Sequence, residues 1–409
     1  MPLQESRKGL YLWAGPGTVR MLQLKFFHPK IDTESLMHSY DADSLARMQE
    51  TFGITDVWAT YSWGFSDKTE QEDREFLLRR VEGFKKLGLR LHAYIQGTNV
   101  VYAGFPDKQW YARDEHGRHV VYHRGRLVTC LNNPEFREYI LEKVRGMRDY
   151  GFDGIFMDNV QMGQLGLVFS GAEFPATFTG CACRYCNGLF RERADEYVPK
   201  NHKKAGLVEE YLKFRAESTT DFVRAVSHEV SVGGMLFGTN SFDPNFDTET
   251  IFGTDLQEIK KYLDYMLFEN HGLPYDGTSR GNHAISNKAW GKPVYVVSYR
   301  RGIGRERAYS QKDFDHIYSE AQQRGFYPCI KGSEYITGNV WHNLNPEDYS
   351  PPRSDIQISA KHRPKKHLIP RSRPARAILR RWYNPLSRAY FEKRYVRRML
   401  DPIYFRSLR

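Results

Sequence analysis

Short, densely apolar stretches recur along the chain, separated by longer segments whose apolar positions fall three and four apart. The short stretches predict strands at MLQLKFF (21–27), ITDVWATY (54–61), LRLHAYIQ (89–96), GFDGIFMD (151–158), GGMLFGTN (233–240), DYMLFEN (264–270), KPVYVVSY (292–299) and GFYPCIKG (325–332). The longer segments predict helices. One lies near 34–51, with Leu45 and Met48 three apart, and one over 70–87, with Leu77, Val81 and Phe84 on one face. A third, over 132–151, opens with Asn133 as N-cap and Pro134 at the first helical position. Its apolar stripe is Phe136, Ile140, Val144 and Met147. A long insertion and long helices fill about 160–230, and a further helix falls near 311–324.

Strand and helix in alternation, eight strands deep, predict a (β/α)8 TIM barrel over residues 1–350. An early apolar stretch, KGLYLWAG (8–15), raises the strand count to nine and competes with MLQLKFF for the first position. The alternative architecture is an open, doubly wound sheet. AGPGTV (14–19) argues against a nucleotide-binding version of it. That turn lacks the full glycine spacing and the acidic residue a dinucleotide site needs.

Barrel enzymes place their chemistry where the strands run out, at the C-terminal face. GFDGIFMDNV (151–160) runs apolar and then stops on Asp158 and Asn159. The other strands end comparably, in Trp63, Asn240, Glu269, Tyr299 and Arg300, with His92 on strand three and Glu334 after strand eight. Two carboxylates facing each other across such a mouth are the equipment for glycoside hydrolysis. One serves as nucleophile or base, and the other protonates the leaving oxygen. The catalytic candidates are Asp158 and Glu269. Trp63, His92, Asn159, Asn240, Tyr299, Arg300 and Glu334 are candidates to hold the sugar, and Glu334 is also a reserve acid. The competing explanation for either catalytic carboxylate is a structural ion pair with a neighbouring Arg or Lys. YRRGIGRER (299–307) gathers arginines after strand seven, where barrels often bind anions.

Composition refines this picture in three places. The aromatic content of 14% suits both a core and a sugar-binding cleft. The net charge of +11 is local: residues 361–409 carry 16 Lys and Arg against two acidic residues, and the remainder carries 44 against 47. Residues 351–376 therefore read as a basic, Pro-containing linker, and 377–409 as a basic, amphipathic, helical C-terminal extension. Such a tail suits an anionic membrane surface or a docking arm. No nucleic-acid-binding module stands beside it, and a nucleic-acid partner is not expected. Third, three of the five cysteines, Cys181, Cys183 and Cys186, fall within six residues, a metal-ligand spacing rather than a disulfide framework. They are candidate ligands of a structural zinc whose fourth ligand is Cys130 or a histidine. The chemistry itself calls for no cofactor. With no apolar run long enough to span a bilayer and no signal-type N-terminus, the expected location is cytoplasmic, with the tail able to hold the protein at the inner membrane face.

CLNNPEFREYILEKVRGMRDYGFDGIFMDN (130–159) resembles the segment before and through strand four in glycoside-hydrolase-like barrels related to the α-galactosidase and α-amylase superfamilies. CACRYCNGLFRER (181–193) is similar to a Cys cluster that those families and the family 42 β-galactosidases carry. The resemblance extends over roughly 20–340 in organisation, and over 130–193 in specific residues. It implies a retaining-type sugar hydrolase with Asp158 in the position of the strand-four nucleophile. Strand six supplies the acid/base in the α-galactosidase group, which points to Glu269. That group carries Asp there, so Glu is a departure. The expected function is hydrolysis of an oligo- or polysaccharide, in glycan or cell-surface polysaccharide metabolism. The alternative is a non-catalytic carbohydrate-binding or scaffold protein on the same barrel, recruited by its tail.

Overall fold

The computed structural model describes residues 7–12, 15–20, 37–114, 117, 119–123, 126–162, 168–169, 172–173, 180–198, 205–241, 249, 252–270, 290–298, 319, 321, 325–331, 333–336 and 340–343. Eight parallel strands close into a barrel: β1 (Gly9–Leu12), β2 (Asp56–Ser62), β3 (Arg90–Gln96), β4 (Gly154–Asp158), β5 (Leu236–Ser241), β6 (Tyr265–Asn270), β7 (Val294–Ser298) and β8 (Tyr327–Lys331). They follow chain order around the barrel, with β1 pairing both β2 and β8.

The first strand is thus the early stretch at Gly9–Leu12, not MLQLKFF, which lies outside the described residues. The barrel closes through Gly9 opposite Cys329 and Asp56 and needs no ninth strand. Both stretches are apolar enough for the role, and periodicity alone does not choose between them. All four residues of β1 are buried, as expected of a strand covered on both faces.

Alternation along each strand sorts two cores. Leu91, Ala93, Ile95, Ile155, Met157, Met266 and Phe268 face the surrounding helices. Tyr11, Trp58, Tyr94, Phe156, Tyr265, Leu267 and Tyr295 fill the barrel interior. The floor of that interior is built from rings nested against glycines. A Cβ on Gly9 would lie 2.4 Å from Trp58, one on Gly154 2.4 Å from His92, and one on Gly238 2.1 Å from Tyr265. Trp58 stacks on His92 with ring centroids 5.1 Å apart, and Trp58 Nε1 donates to Tyr265 Oη at 3.1 Å.

Outside the strands lie helices α1 (Ala42–Phe52), α2 (Asp67–Leu78), α3 (Val81–Lys86), α4 (Pro134–Arg145), α5 (Arg184–Ala194) and α6 (Ala205–Val232). The predicted helix over 70–87 is two pieces, α2 and α3. The chain turns at Arg79 and Arg80, and Arg80 Nη1 donates to the Phe76 carbonyl at 3.2 Å. At α4 the cap forms as expected: the Asn133 side chain accepts from Glu135 N at 2.9 Å and Phe136 N at 3.3 Å. Phe136, Ile140 and Val144 are its buried face. The helix predicted near 311–324 lies outside the described residues except for Ser319 and Ala321, both helical and buried. The linker 351–376 and the extension 377–409 also lie outside them. No helix among the described residues is long and apolar enough to cross a membrane.

Between β3 and α4 the chain adds a small antiparallel sheet of Asn99–Val101, Val121–His123 and Arg126–Val128. It stands beside the C-terminal ends of β2, β3 and β4.

Candidate active site

Gly154, Phe156 and Asp158 share one face of β4, and Phe156 packs in the barrel interior. The period of two therefore turns Asp158 inward, at the mouth. Asp158 is 8% exposed, and its carboxylate is held from two sides. Tyr94 Oη, from β3, donates to Oδ2, and Asn240 Nδ2, from β5, donates to Oδ1. Asn240 also reaches the next residue, its Oδ1 accepting from Asn159 N at 2.8 Å. Asn159 adopts φ 57°, a left-handed conformation that Asn tolerates better than most residues. Thr98 Oγ1 donates to its carbonyl, and Tyr122 Oη donates to its Oδ1 at 2.8 Å. The inserted sheet is thereby tied to the mouth.

Gln96 continues the ring, with Nε2 donating to the Asp158 carbonyl at 3.4 Å. Trp63, after β2, carries the Arg126 guanidinium 4.3 Å over its ring. Asp158, Asn159 and Asn240 thus come together as the sequence predicts, with Trp63 near the same insert. Glu269 lies at the end of β6 in register with Val297 of β7, and Glu334 pairs with His342 in a hairpin after β8. The side chains of Glu269 and Glu334, and all of Tyr299 and Arg300, lie outside the described residues.

His92 is not a mouth residue. It is 2% exposed on the barrel floor, with Nε2 3.4 Å from Asp56 Oδ1 and its ring between Trp58 and Tyr265. Alternation points it inward correctly, but it stands four residues before Gln96, a full layer below the rim. Burial would raise Asp56, but His92, Arg90 and Thr55 outweigh it and hold the carboxyl at about 2. The closest of these partners are Thr55 Oγ1 at 2.6 Å and Arg90 Nη2 at 2.8 Å.

Sequence reading passes over Tyr94, Tyr122 and Arg126. Tyr94 was legible in principle: it sits two residues before Gln96, on the same inward face.

A second constellation lies beside the mouth. Cys130, before α4, joins Cys181, Cys183 and Cys186 at the start of α5, with all four sulfurs within 4.8 Å of one another. Cys130 Sγ is 3.5 Å from the sulfurs of both Cys183 and Cys186, and none of the four forms a disulfide. Hydrogen bonds from the other three pull the Cys183 thiol far below its usual range, while Cys130 and Cys186 are pushed up. Zinc–sulfur bonds of about 2.3 Å put tetrahedral sulfurs about 3.8 Å apart, so the four residues fit a zinc ion. Among the described residues, Cys130 is the one that stands with the three.

Comparison with known proteins agrees with this architecture. Residues 92–287 match the family described as Hypothetical glycosyl hydrolase family 15. Three solved structures share the fold at a TM-score of 0.51. An α-L-fucosidase isoenzyme 2 from Paenibacillus thiaminolyticus is 14% identical, the match covering 95% of this chain and 50% of that one. A β-galactosidase from the Antarctic haloarchaeon Halorubrum lacusprofundi is 14% identical, covering 84% and 55%. One from the psychrophilic Marinomonas ef1 is 12% identical, covering 92% and 59%. No curated protein matches in sequence. The chain is thus a (β/α)8 barrel, similar over residues 92–287 to a hypothetical glycosyl hydrolase family. That similarity runs from His92 on the barrel floor to past β6.

Proposed function

We propose that the chain hydrolyses glycosidic bonds of an oligo- or polysaccharide, with Asp158 as nucleophile and Glu269 as acid/base. The supporting observation is the setting of Asp158. It ends β4 at the mouth, and each of its oxygens accepts a hydrogen bond from a neutral donor. The two bonds fix the aim of the carboxylate. In the reaction, an Asp158 oxygen attacks the anomeric carbon while the Glu269 carboxyl protonates the departing oxygen. Water, deprotonated by Glu269, then cleaves the glycosyl ester and frees Asp158. Asn159, Asn240, Trp63, Tyr299 and Arg300 hold the sugar, and Glu334 is the reserve acid.

The test is turnover of a panel of aryl glycosides and polysaccharides by the full chain, by Asp158→Asn and by Glu269→Gln. The reading expects a loss of roughly 1,000-fold or more for Asp158→Asn. For Glu269→Gln it expects a smaller loss on substrates with good leaving groups. Glycan binding without turnover by the wild-type chain points instead to the carbohydrate-binding alternative. A complex structure then gives the carboxyl separation: about 5–5.5 Å for retention or about 6.5–9.5 Å for inversion.

The cysteine quartet is assigned a structural zinc with no part in the chemistry. It ties the segment before α4 to the start of α5. Metal analysis should find one zinc per chain, lost in Cys130→Ser together with a fall in melting temperature. Full zinc retention by that variant removes Cys130 as a ligand. The basic segment 377–409 is assigned to an anionic membrane surface, at the cytoplasmic inner face. Binding to anionic liposomes that survives deletion of 361–409 rules this out.

A further inference from the structure

A groove of about 580 Å³ lies between the inserted segment, the start of α2 and one face of α4. None of Trp63, Tyr94, Gln96, Asp158, Asn159 or Asn240 lines it, so it is separate from the candidate active site. Its apolar side is three rings. The centroids of Phe105 and Trp110, both buried, are 5.3 Å apart, and those of Trp110 and Tyr139 are 4.7 Å apart. Its polar side is acidic: Asp67, Asp107, Glu135, Glu138 and Glu142 stand against one amine, Lys108.

The charge is concentrated on α4. Glu135, Glu138, Tyr139 and Glu142 are three, one and three residues apart, and so share one helix face. Carboxylates three and four apart on a helix repel each other. Glu135 is in the first turn, where the helix dipole favours an anion, but Glu138 and Glu142 lie beyond it. Glu138 pairs with Arg145, whereas Asp67, Asp107, Glu135 and Glu142 have no ion-pair partner among the described residues. The rings already accept cations: Lys108 Nζ lies 5.0 Å over Trp110, and Lys143 Nζ 4.6 Å over Tyr139. A bare metal ion would use the carboxylates and leave the rings idle. A segment that mixes Arg and Lys with aromatic side chains uses both.

We propose that this groove is the docking site of the basic segment 361–409 of the same chain. That segment carries 16 Lys and Arg against Glu392 and Asp401, with Trp382, Tyr383, Tyr390 and Tyr395 among them. Its reach is sufficient. The last described residue is Asn343, and the chain from there to Trp382 spans up to about 130 Å when extended. Half the girth of a domain of this size is roughly 80 Å. Docking goes beyond the glycosidase reading and does not depend on it. It competes with the anionic membrane surface assigned to 377–409, because one segment cannot occupy both. The segment rests on the groove in solution and leaves it for anionic lipid.

The experiment treats the full chain, dilute, with a carbodiimide that joins a lysine amine to a carboxylate in contact with it. Cross-links in the monomer are then mapped by mass spectrometry. Lys361, Lys365, Lys366 or Lys393 should link to Asp67, Asp107, Glu135, Glu138 or Glu142. The links should be lost at about 1 M salt, where charges are screened beyond about 3 Å. Glu135→Gln, Glu138→Gln and Glu142→Gln together should cut the links to Asp67 and Asp107. The same variant should bind vesicles of phosphatidylcholine and phosphatidylserine roughly 10-fold tighter, the factor by which docking withholds the segment. Glu50→Gln, Glu82→Gln and Asp149→Asn together make an equal change of charge on exposed residues elsewhere, and should do neither. Links scattered over the barrel, links found only in dimers, or no links to the groove overturn the proposal. So does a groove variant that keeps its links to Asp67 and Asp107, or that binds vesicles no better than the control variant. Where the wild type binds no vesicles, the membrane assignment falls and the cross-links alone decide docking. Neither readout depends on glycoside turnover.

Discussion

Asp56→Asn tests the assignment of His92 and its partners to the barrel floor. Asp56 is 1% exposed, and its carboxyl is held at about 2 against an ordinary value of 3.8. A tenfold change in an ionisation constant corresponds to about 1.4 kcal/mol, so ionised Asp56 contributes about 2–3 kcal/mol to the folded state. The sign follows from the lowered value. The contribution is fully present above the unfolded pKa of about 4, and it disappears as pH falls through about 2. Urea unfolding of wild type and variant at pH 7, 5 and 3 should give a difference of that size at pH 7 and 5, narrowing at pH 3. The comparison at several pH values separates charge from shape, because the amide is nearly isosteric. A difference that stays constant across this range would falsify the electrostatic account, leaving packing around Trp58 and His92 as its source. No difference at any pH would mean that Arg90 and Thr55 find equivalent partners elsewhere.

Three further outcomes follow from the same structure. Gly154→Ala puts a methyl 2.4 Å from His92 Nδ1 and 2.8 Å from the Leu236 carbonyl, and should cost about 1–3 kcal/mol by chemical denaturation. Asp73 is pushed up to about 7 by burial, despite hydrogen bonds from Gly17 and Thr18. Its stabilising contribution is present below about pH 4 and lost as pH rises through 7, so the melting temperature of Asp73→Asn should depend less on pH between 5 and 8 than that of the wild type. Asn240→Ala removes a donor to Asp158 and the acceptor for Asn159 N, so turnover of any cleaved glycoside should fall roughly 10–100-fold. Unchanged turnover removes Asn240 from the reaction.

Much of the barrel was legible because seven of its strands are short apolar runs set off by longer segments. Asp158 was legible because a charged residue at the end of an otherwise apolar strand is conspicuous. What escaped sequence reading was height and distance. Period two says that His92, Tyr94 and Gln96 share a face, but not that His92 is on the floor and Tyr94 at the level of the carboxylate. That depends on the register against β2 and β4. Cys130 is far from the other cysteines in sequence and joins them only through the fold. Arg126 escaped notice because it is the inserted sheet that buries it. β1 was misplaced because MLQLKFF and KGLYLWAG carry the same apolar signal, and only ring closure separates them.

The nested rings of the floor make three pairs of positions share fixed volumes: Gly9 with Trp58, Gly154 with His92, and Gly238 with Tyr265. Neither member of a pair can grow unless the other shrinks. Among relatives of this chain, a larger residue at one of the glycine positions should therefore come with a smaller one at its partner. The floor would thus drift through paired exchanges while the mouth above it changes on its own schedule.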